Sequence, residues 1–123
     1  MTQKKDINEK IVEQEEIEVE AAAVPSVSVT LSKGGQVVKS SRINLLQGAA
    51  SLSAKHTGGN GKLKVEIVDP TFIDETIKSW TLKPGESINY FALTIPKNTY
   101  YLRLSCNLRN ATGTGKLGSP LFG

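Results

Sequence analysis

The feature that most constrains this fold is a succession of short segments in which apolar and polar residues alternate, beginning near residue 26 and separated by turn residues. The clearest is the segment 99–108, where Tyr100, Leu102 and Leu104 fall on one side of an extended chain and Tyr101 and Arg103 on the other. A period of two is that of a β-strand with one buried face. We therefore predict a strand here, at the centre of a sheet.

Similar segments recur about eight times, with turn signals at regular spacing. We predict the two glycine-containing segments 57–61 and 110–115 to be a flexible turn and a loop. Because short strands follow one another without a convincing helix after residue 20, we predict one antiparallel β-sandwich over residues 25–123. A jelly roll is favoured, and an immunoglobulin-like arrangement is the alternative. The predicted strands are 27–31, 37–45, a weak 52–54, 63–67, 77–82, 87–95, 99–108 and a short edge strand at 116–122.

Residues 1–24 form a separate N-terminal arm, in which residues 17–24 read as a strand with one apolar and one acidic side. An isolated strand leaves its backbone groups without protein partners, so the arm is either disordered or joined to a sheet edge. That edge belongs either to the same chain or to a neighbouring copy. Pro25 is the predicted hinge between arm and sandwich. The residues predicted to make an inter-subunit contact are Ile17, Val19, Ala21, Ala23 and Val24.

The charge of the chain is divided between these two parts. The arm has three lysines and seven acidic residues, a net charge of −4, whereas the rest has twelve basic and five acidic residues, a net charge of +7. Complementary charge guides encounter and register more than it supplies affinity. We expect the arm and body of two copies to attract each other. The alternative is that the glutamates only keep a disordered leader in solution.

No residue pattern indicates catalysis, a metal site or a cofactor. His56 is the only histidine, has no relay partner suggested by spacing, and is interpreted as a solvated turn residue. The Gly-Lys pairs at 61–62 and 115–116 lack the other residues of a phosphate-binding loop, and the three acids between residues 69 and 75 do not match a calcium loop. Cys106 continues the apolar face of its strand, so we predict it to be buried. The protein is predicted to be non-enzymatic.

Two binding functions are alternatives to assembly. The basic body would attract a nucleic acid, but single-strand binders also use exposed aromatic platforms, and seven aromatic residues are few, so we do not expect this partner. A carbohydrate would stack on an exposed Trp80 or Tyr101, with Arg103 beside Tyr101 on the outward face. Trp80 lies in an apolar run, however, which is more typical of a core residue.

The arrangement of arm, hinge and sandwich resembles that of the pilus-like appendage proteins of bacterial endospores. The N-terminus has charges without an apolar run behind them, and no segment is long enough to span a membrane. We therefore expect synthesis in the cytoplasm without a signal peptide. The resemblance covers the whole chain as organisation rather than as a motif. The chain departs from members whose leaders carry cysteines, because its single cysteine is Cys106.

The resemblance implies a linear fibre of identical copies on the spore surface, with an anchoring or surface protein as a further partner. Strand addition would be non-covalent, with Ile17, Val19, Ala21 and Ala23 as the donor residues. A phage decoration or tail protein would have the same architecture and is the alternative. Self-assembly through the arm is thus the function that the sequence favours.

Overall fold

The computed structural model describes residues 26–120, so the predicted arm residues and hinge, Ile17, Val19, Ala21, Ala23, Val24 and Pro25, lie outside the described residues. The described chain forms nine β-strands. It contains no helix of the length and hydropathy needed to cross a membrane. The strands are β1 (Ser26–Leu31), β2 (Val37–Lys39), β3 (Ile43–Leu45), β4 (Ala49–Gly59), β5 (Leu63–Asp69), β6 (Glu75–Leu82), β7 (Ser87–Thr94), β8 (Asn98–Ser105) and β9 (Ala111–Gly118).

The strands form two antiparallel sheets that pack as a sandwich. Sheet I has the order β1-β9-β4-β7, and sheet II has the order β2-β8-β5-β6, with β3 also paired to β8. The chain passes from one sheet to the other at nearly every connection, and β2 and β3 share one position beside β8. Eight positions in this order make a jelly roll. The predicted all-β jelly-roll sandwich is therefore confirmed.

The strand predicted over residues 37–45 is interrupted in its middle. β2 pairs with residues 103–105 of β8, and β3 pairs with residues 98–100. Between them the Ser40 N–H donates to the Leu102 carbonyl at 2.8 Å, and the Ser40 hydroxyl accepts from the Leu102 N–H at 2.9 Å. A side-chain oxygen thus takes the place of a backbone carbonyl. The chain bends there without leaving its neighbour.

The core lies between the sheets, and β8 contributes its centre. Tyr100, Leu102 and Leu104 are buried in it, as the alternation predicts. β8 has neighbours on both sides, because β2 and β3 pair with one edge and β5 with the other. Cys106, just after β8, is also buried. The prediction of a central strand with an inward-facing cysteine behind it is confirmed.

Two segments predicted as a turn and a loop are strands. β4 continues to residue 59, and β9 lies between β1 and β4 in the interior of sheet I. A Cβ at Gly113 would lie 2.4 Å from Leu63 Cδ2, and one at Gly115 would lie 2.8 Å from Leu102 Cδ2. Glycine leaves room here for leucines of sheet II. The predictions of a turn at 57–61, a loop at 110–115 and an edge strand at 116–122 are therefore wrong.

Candidate assembly edge

Strand β7 forms one margin of sheet I. It pairs with β4, and within the described chain no strand pairs with its other side. A tight turn connects β6 to β7. In this turn the Glu86 N–H donates to the Lys83 carbonyl at 3.0 Å, and Gly85 has a φ of 83°. The Lys83 N–H also donates to the Glu86 carboxylate at 2.7 Å. Because β6 is itself the margin of sheet II, this side of the sandwich is open between two edge strands.

The sequence of β7 leaves this margin without the usual protection. Exposed edges are commonly guarded by lysine, proline or inward-pointing charges. The eight residues of β7, SINYFALT, contain neither a charge nor a proline, and Phe91 is 60% exposed. A β-bulge falls at residues 91–92, whereas residues 87–90 keep regular pairing with β4. The regular part offers a free backbone edge to another strand.

An apolar seam runs between the two edge strands. Trp80 and Tyr90 meet across it, with ring centroids 5.6 Å apart and an interplanar angle of 35°. Aromatic contacts of this kind hold the two sheets together. The apolar residues here pack on the core but stay partly accessible, so a strand added beside β7 would cover them. The residues of the seam are Ile77, Trp80, Ile88, Tyr90 and Leu93.

The outer face of sheet I is polar and basic. None of its four strands contains an aspartate or glutamate. Lys55 is opposite Thr114 and Lys116 is opposite Ser53, so the two lysines are diagonal neighbours, roughly 7 Å apart at Cβ. This arrangement gives the face a positive potential. A shallow depression of ≈ 390 Å³ on this face is lined by two rows of side chains that cross the four strands. The first row is Ser28, Lys116, Ser53 and Asn89, and the second is Thr30, Thr114, Lys55 and Ser87.

The ligand face predicted from Trp80, Tyr101 and Arg103 does not exist as one surface. Trp80 is opposite the core residue Val65 and packs inward at the seam. Tyr101 and Arg103 lie on the other side of sheet II, where Tyr101 is only 5% exposed. The two aromatic rings therefore point to opposite sides of one sheet. The interpretation of Tyr101 as an exposed stacking residue is wrong, because its outward position is covered by its neighbours, whereas Trp80 packs on the core as its apolar run predicts.

Arg103 belongs to an ion pair on the outside of sheet II. Its Nε donates to Glu66 Oε1 at 3.0 Å and its Nη2 to Oε2 at 3.2 Å, while the Thr76 hydroxyl donates to Oε2 at 2.7 Å. Burial by itself raises the pKa of Glu66. The hydrogen bonds from Arg103 and Thr76 outweigh burial and hold that pKa below its ordinary value of 4.5. A bidentate pair of this kind stabilises the fold rather than binding a ligand.

Tyr101 is covered by charged side chains that also pair with each other. Lys39 Nζ lies 5.5 Å from the centroid of the tyrosine ring and 3.7 Å from the Asp74 carboxylate. Burial, reinforced by Asp74, raises the pKa of the Tyr101 hydroxyl. That hydroxyl is buried without a partner at hydrogen-bonding geometry among the described residues. A sugar ring therefore has no access to this tyrosine.

His56 is buried, so its prediction as a solvated turn residue is wrong. It points inward from β4, and its Nε2 lies 2.6 Å from the Gly61 carbonyl oxygen. Because a carbonyl only accepts, Nε2 carries the proton, which ties the β4–β5 connection to the core. Its Nδ1 has no partner in the described part of the chain. Over residues 26–120, no group of three His, Cys, Asp or Glu side chains is placed to hold a metal ion.

Sequence reasoning does not identify β7 as an edge. Its residues belong to an almost continuous apolar run over 87–95, which is equally typical of a strand buried on both faces. The absence of any charge over eight residues is the signal that was available. Only the pairing of the folded chain shows that this strand has one neighbour among the strands of residues 26–120. The seam residues are missed for the same reason.

Comparison of the chain with protein-family models and with curated proteins gives no match. Among solved structures, the chain is similar to PirA, with a TM-score of 0.50 and 15% identity over 76% of this chain and 91% of that chain. It also matches the Yersinia pseudotuberculosis-derived mitogen, with a TM-score of 0.40 and 11% identity over 82% of this chain and 88% of that chain. The likeness to PirA is one of fold alone and agrees with the sandwich described above.

Proposed function

We propose that the protein is a non-enzymatic structural subunit whose copies join head to tail, residues 17–24 of one copy adding as a strand to β7 of the next. The observation that carries this proposal is the uncharged and exposed margin at β7. In strand addition, main-chain hydrogen bonds supply affinity and alternate side chains supply specificity. The β7 edge offers main-chain groups for the hydrogen bonds, and the residues around it offer side-chain contacts for specificity.

The surroundings of β7 suit both sides of the donor strand. If residues 17–24 lie beside β7, their apolar side chains face the seam, next to Trp80 and Tyr90. The glutamates at 16, 18 and 20 then continue the outer face of sheet I. Their backbone would be two strand spacings from that of Lys55, roughly 10 Å, a distance that the two side chains together can span. Apolar and charged complementarity thus favour the same docking.

The position of β1 supports a contact between copies rather than within one chain. Residue 26 begins β1, which is the opposite margin of sheet I from β7. Three strand spacings, roughly 14 Å, separate these margins. Two residues further back, residue 24 can be no more than about 7 Å from residue 26. Residues 17–24 therefore cannot lie along their whole length beside the β7 of their own chain, which favours the β7 of the next copy. Such a contact is heterologous and can propagate as a filament.

The site of assembly is proposed from the resemblance in organisation. We propose that the chain is made in the cytoplasm and ends in an assembled surface structure, a spore appendage or alternatively a virion. Other copies of the chain are the main partners, with an anchoring or surface protein at one end. Immunogold labelling of purified spores is expected to mark appendages along their length. Labelling restricted to phage particles would favour the virion.

Removal of residues 1–24 is the first test of the proposed function. The complete chain is expected to form filaments visible by negative-stain microscopy and fast-sedimenting species by analytical ultracentrifugation. The shortened chain is expected to remain a folded monomer, because it retains the acceptor edge but lacks the donor. Equal assembly of the two proteins, or a monomeric complete chain, would overturn the proposal.

A charge placed on the acceptor edge tests the docking position. Asn89→Glu introduces a carboxylate on exposed β7, where it would face the glutamates of an incoming arm. We expect it to abolish filaments without changing the circular dichroism spectrum. Thr81→Glu is the matched control, because it adds the same charge to an exposed position of β6, the edge strand of sheet II, opposite Lys64 rather than an acid. Equal effects of both substitutions would exclude β7 as the specific acceptor.

A further inference from the structure

We infer that copies of the chain also meet end to end, with Phe72 and Ile73 of one copy seated in a cleft at the opposite end of the next. This inference rests on the proposed assembly and adds a second contact to it. The first part of the contact is an apolar knob, which consists of Phe72 and Ile73 in the connection between β5 and β6. Phe72 is 96% exposed and Ile73 is 77% exposed.

The knob stands on a loop that is fixed by hydrogen bonds. Asp69 Oδ1 accepts from the Thr71 N–H at 2.9 Å and from the Thr71 hydroxyl at 2.5 Å. Asp69 Oδ2 accepts from Asn98 Nδ2 at 3.0 Å, which ties the loop to the start of β8. The Thr71 bonds, that of the hydroxyl first, also lower the pKa of Asp69. A loop anchored in this way presents its apolar tip to a partner at little cost in ordering.

The second part of the contact is an end cleft between the β1–β2, β4–β5 and β8–β9 connections. Its volume is ≈ 590 Å³, which lies within the range of pockets that enclose small ligands and is ample for two side chains. Basic and hydrogen-bonding groups surround it, and among residues 26–120 no acidic residue lines it. Its walls include Lys33, Gly58, Gly59, Arg109, Asn110 and Thr112.

The shape of the end cleft is fixed by the backbone. Leu108 and Arg109 have φ values of 54° and 56°, a conformation uncommon for residues other than glycine. Arg109 Nη1 donates to the Gly34 carbonyl at 3.1 Å, which joins two of the connections. A Cβ at Gly59 would lie 2.3 Å from the Asn110 carbonyl oxygen, so the third connection packs directly on the others. Glycine leaves this wall of the cleft without a side chain.

The knob and the end cleft are at opposite ends of the sandwich. β5 begins at Leu63, beside the cleft, and ends at Asp69, beside the knob. Its seven residues rise roughly 20 Å between the two. The knob of one molecule therefore cannot reach its own cleft. Knob into cleft is a heterologous contact between copies, which repeats along a filament in the same way as the proposed arm contact.

Charge favours this pairing of ends. Asp69, Asp74 and Glu75 flank the knob, whereas Lys33 and Arg109 line the end cleft. Asp74 is paired with Lys39 at 3.7 Å, but both side chains are about half exposed, so exchanging this pair for one across the interface costs little. The same charges repel two knobs or two clefts. A second copy, in head-to-tail orientation, is thus the occupant that the end cleft fits.

Removal of the apolar knob tests the end contact. Phe72→Ser is expected to raise the critical concentration for filament formation roughly tenfold or more, because an aromatic anchor carries much of an interface. Leu46→Ser is the matched control, since Leu46 is 69% exposed in another connection at the same end. A change of less than about twofold is expected for it, as for most surface substitutions. Both side chains are exposed, so both variants are expected to fold.

The outcomes separate the end contact from the arm contact. If Phe72→Ser assembles like the unmodified chain while removal of residues 1–24 prevents assembly, the end contact is wrong and the arm contact stands. If removal of the arm has no effect while Phe72→Ser does, the arm contact is wrong and the end contact stands. Equal effects of Phe72→Ser and Leu46→Ser would also overturn the end contact.

Cross-linking gives a measurement that does not depend on affinity. Ile73→Cys combined with Asn60→Cys places one thiol on the knob and one in the end cleft of the same chain. Mild oxidation is expected to give a ladder of linked oligomers on a non-reducing gel. A mixture of the two single variants is expected to stop at dimers, because each chain then has one introduced thiol. A ladder no stronger than that of Leu46→Cys combined with Asn60→Cys would contradict the proposed contact.

Discussion

Sheet I and sheet II contribute to the sandwich in different ways. Toward the core, sheet II supplies most of the large buried side chains, such as Leu63 and Leu102, whereas sheet I combines a few large ones, such as Leu52, with small residues such as Ala54 and Gly113. The two inner surfaces are complementary, and close packing of this kind is sensitive to a single methyl group. The large side chains that fill the core therefore belong mainly to sheet II.

The outer faces of the two sheets differ as well. On sheet II, Glu66 and Arg103 satisfy each other in a bidentate pair. On sheet I, Lys55 and Lys116 form no ion pair within residues 26–120, and the edge strand β7 carries no charge, whereas β6, the edge strand of sheet II, carries Glu75 and Lys78. Under the proposed assembly, stability would depend mainly on sheet II and the arm contact on sheet I. Changes in sheet II should alter unfolding, whereas changes on the outside of sheet I should alter association.

The largest expected effect is that of shortening a core side chain of sheet II. Leu102→Ala should lower the free energy of unfolding by about 2–5 kcal/mol, because it removes buried methyl groups and leaves a cavity. Ala54→Gly, which removes one side-chain carbon from sheet I where Leu102→Ala removes three from sheet II, should lower it by only about 1 kcal/mol. Urea denaturation followed by circular dichroism measures both. Equal losses would show that the two sheets contribute similarly to the core.

An added methyl group on sheet I should have an intermediate effect. Gly113→Ala puts a Cβ 2.4 Å from Leu63 Cδ2 and 2.7 Å from the Lys55 carbonyl oxygen, so both a side chain and backbone must move. We expect a loss of about 1–3 kcal/mol in the same denaturation experiment. Gly115→Ala should cost less, because its nearest neighbour is the end of the Leu102 side chain at 2.8 Å. A larger loss for Gly115→Ala would mean that the backbone at residue 113 adapts.

These glycines also show where prediction from the sequence ends. The strand that became β8 could be predicted, because one of its faces is buried and the other carries polar groups, and alternation records that difference. β9 has the sequence ATGTGKLG, in which glycines stand at inward positions. Glycine is needed at these positions because leucines of sheet II, which are distant in the sequence, occupy the space that a side chain would fill. A local pattern contains no sign of such a neighbour, so the segment resembles a loop.

The candidate site likewise has some features that depend on the local sequence and others that depend on the folded arrangement. The arm, its stripe and its charge are local properties of the sequence, so the donor strand remains a prediction for residues outside the described part of the chain. That β7 has one neighbouring strand in the described chain depends on the order of the strands, which no short segment specifies. Tyr101 is predicted to be exposed because alternation shows which face of the strand a residue lies on. The predicted outward face is correct. Whether an outward side chain is covered depends on neighbours such as Lys39 and Asp74, which come from other elements.

The smallest expected effect concerns the ion pair of sheet II and depends on pH. Glu66→Gln should lower the free energy of unfolding by about 1 kcal/mol at pH 7, because a charge-assisted pair with Arg103 becomes a neutral contact. The pKa of Glu66 in the folded state lies below 4.5, so this stabilisation is fully present above that pH. It is lost as the pH falls through the folded-state pKa, where the carboxylate is protonated and resembles the amide.

The difference between the unmodified chain and Glu66→Gln therefore isolates this residue from the other carboxylates. Asp69 also has a lowered pKa, but it titrates alike in both proteins and cancels from the difference. Urea denaturation at several pH values between 3 and 7 should give a constant difference above about pH 5 and a shrinking one below it. A difference that does not change with pH would mean that the substitution acts through packing. Filament formation should remain unaffected at pH 7, because Glu66 lies on the sheet that the proposed arm contact does not use.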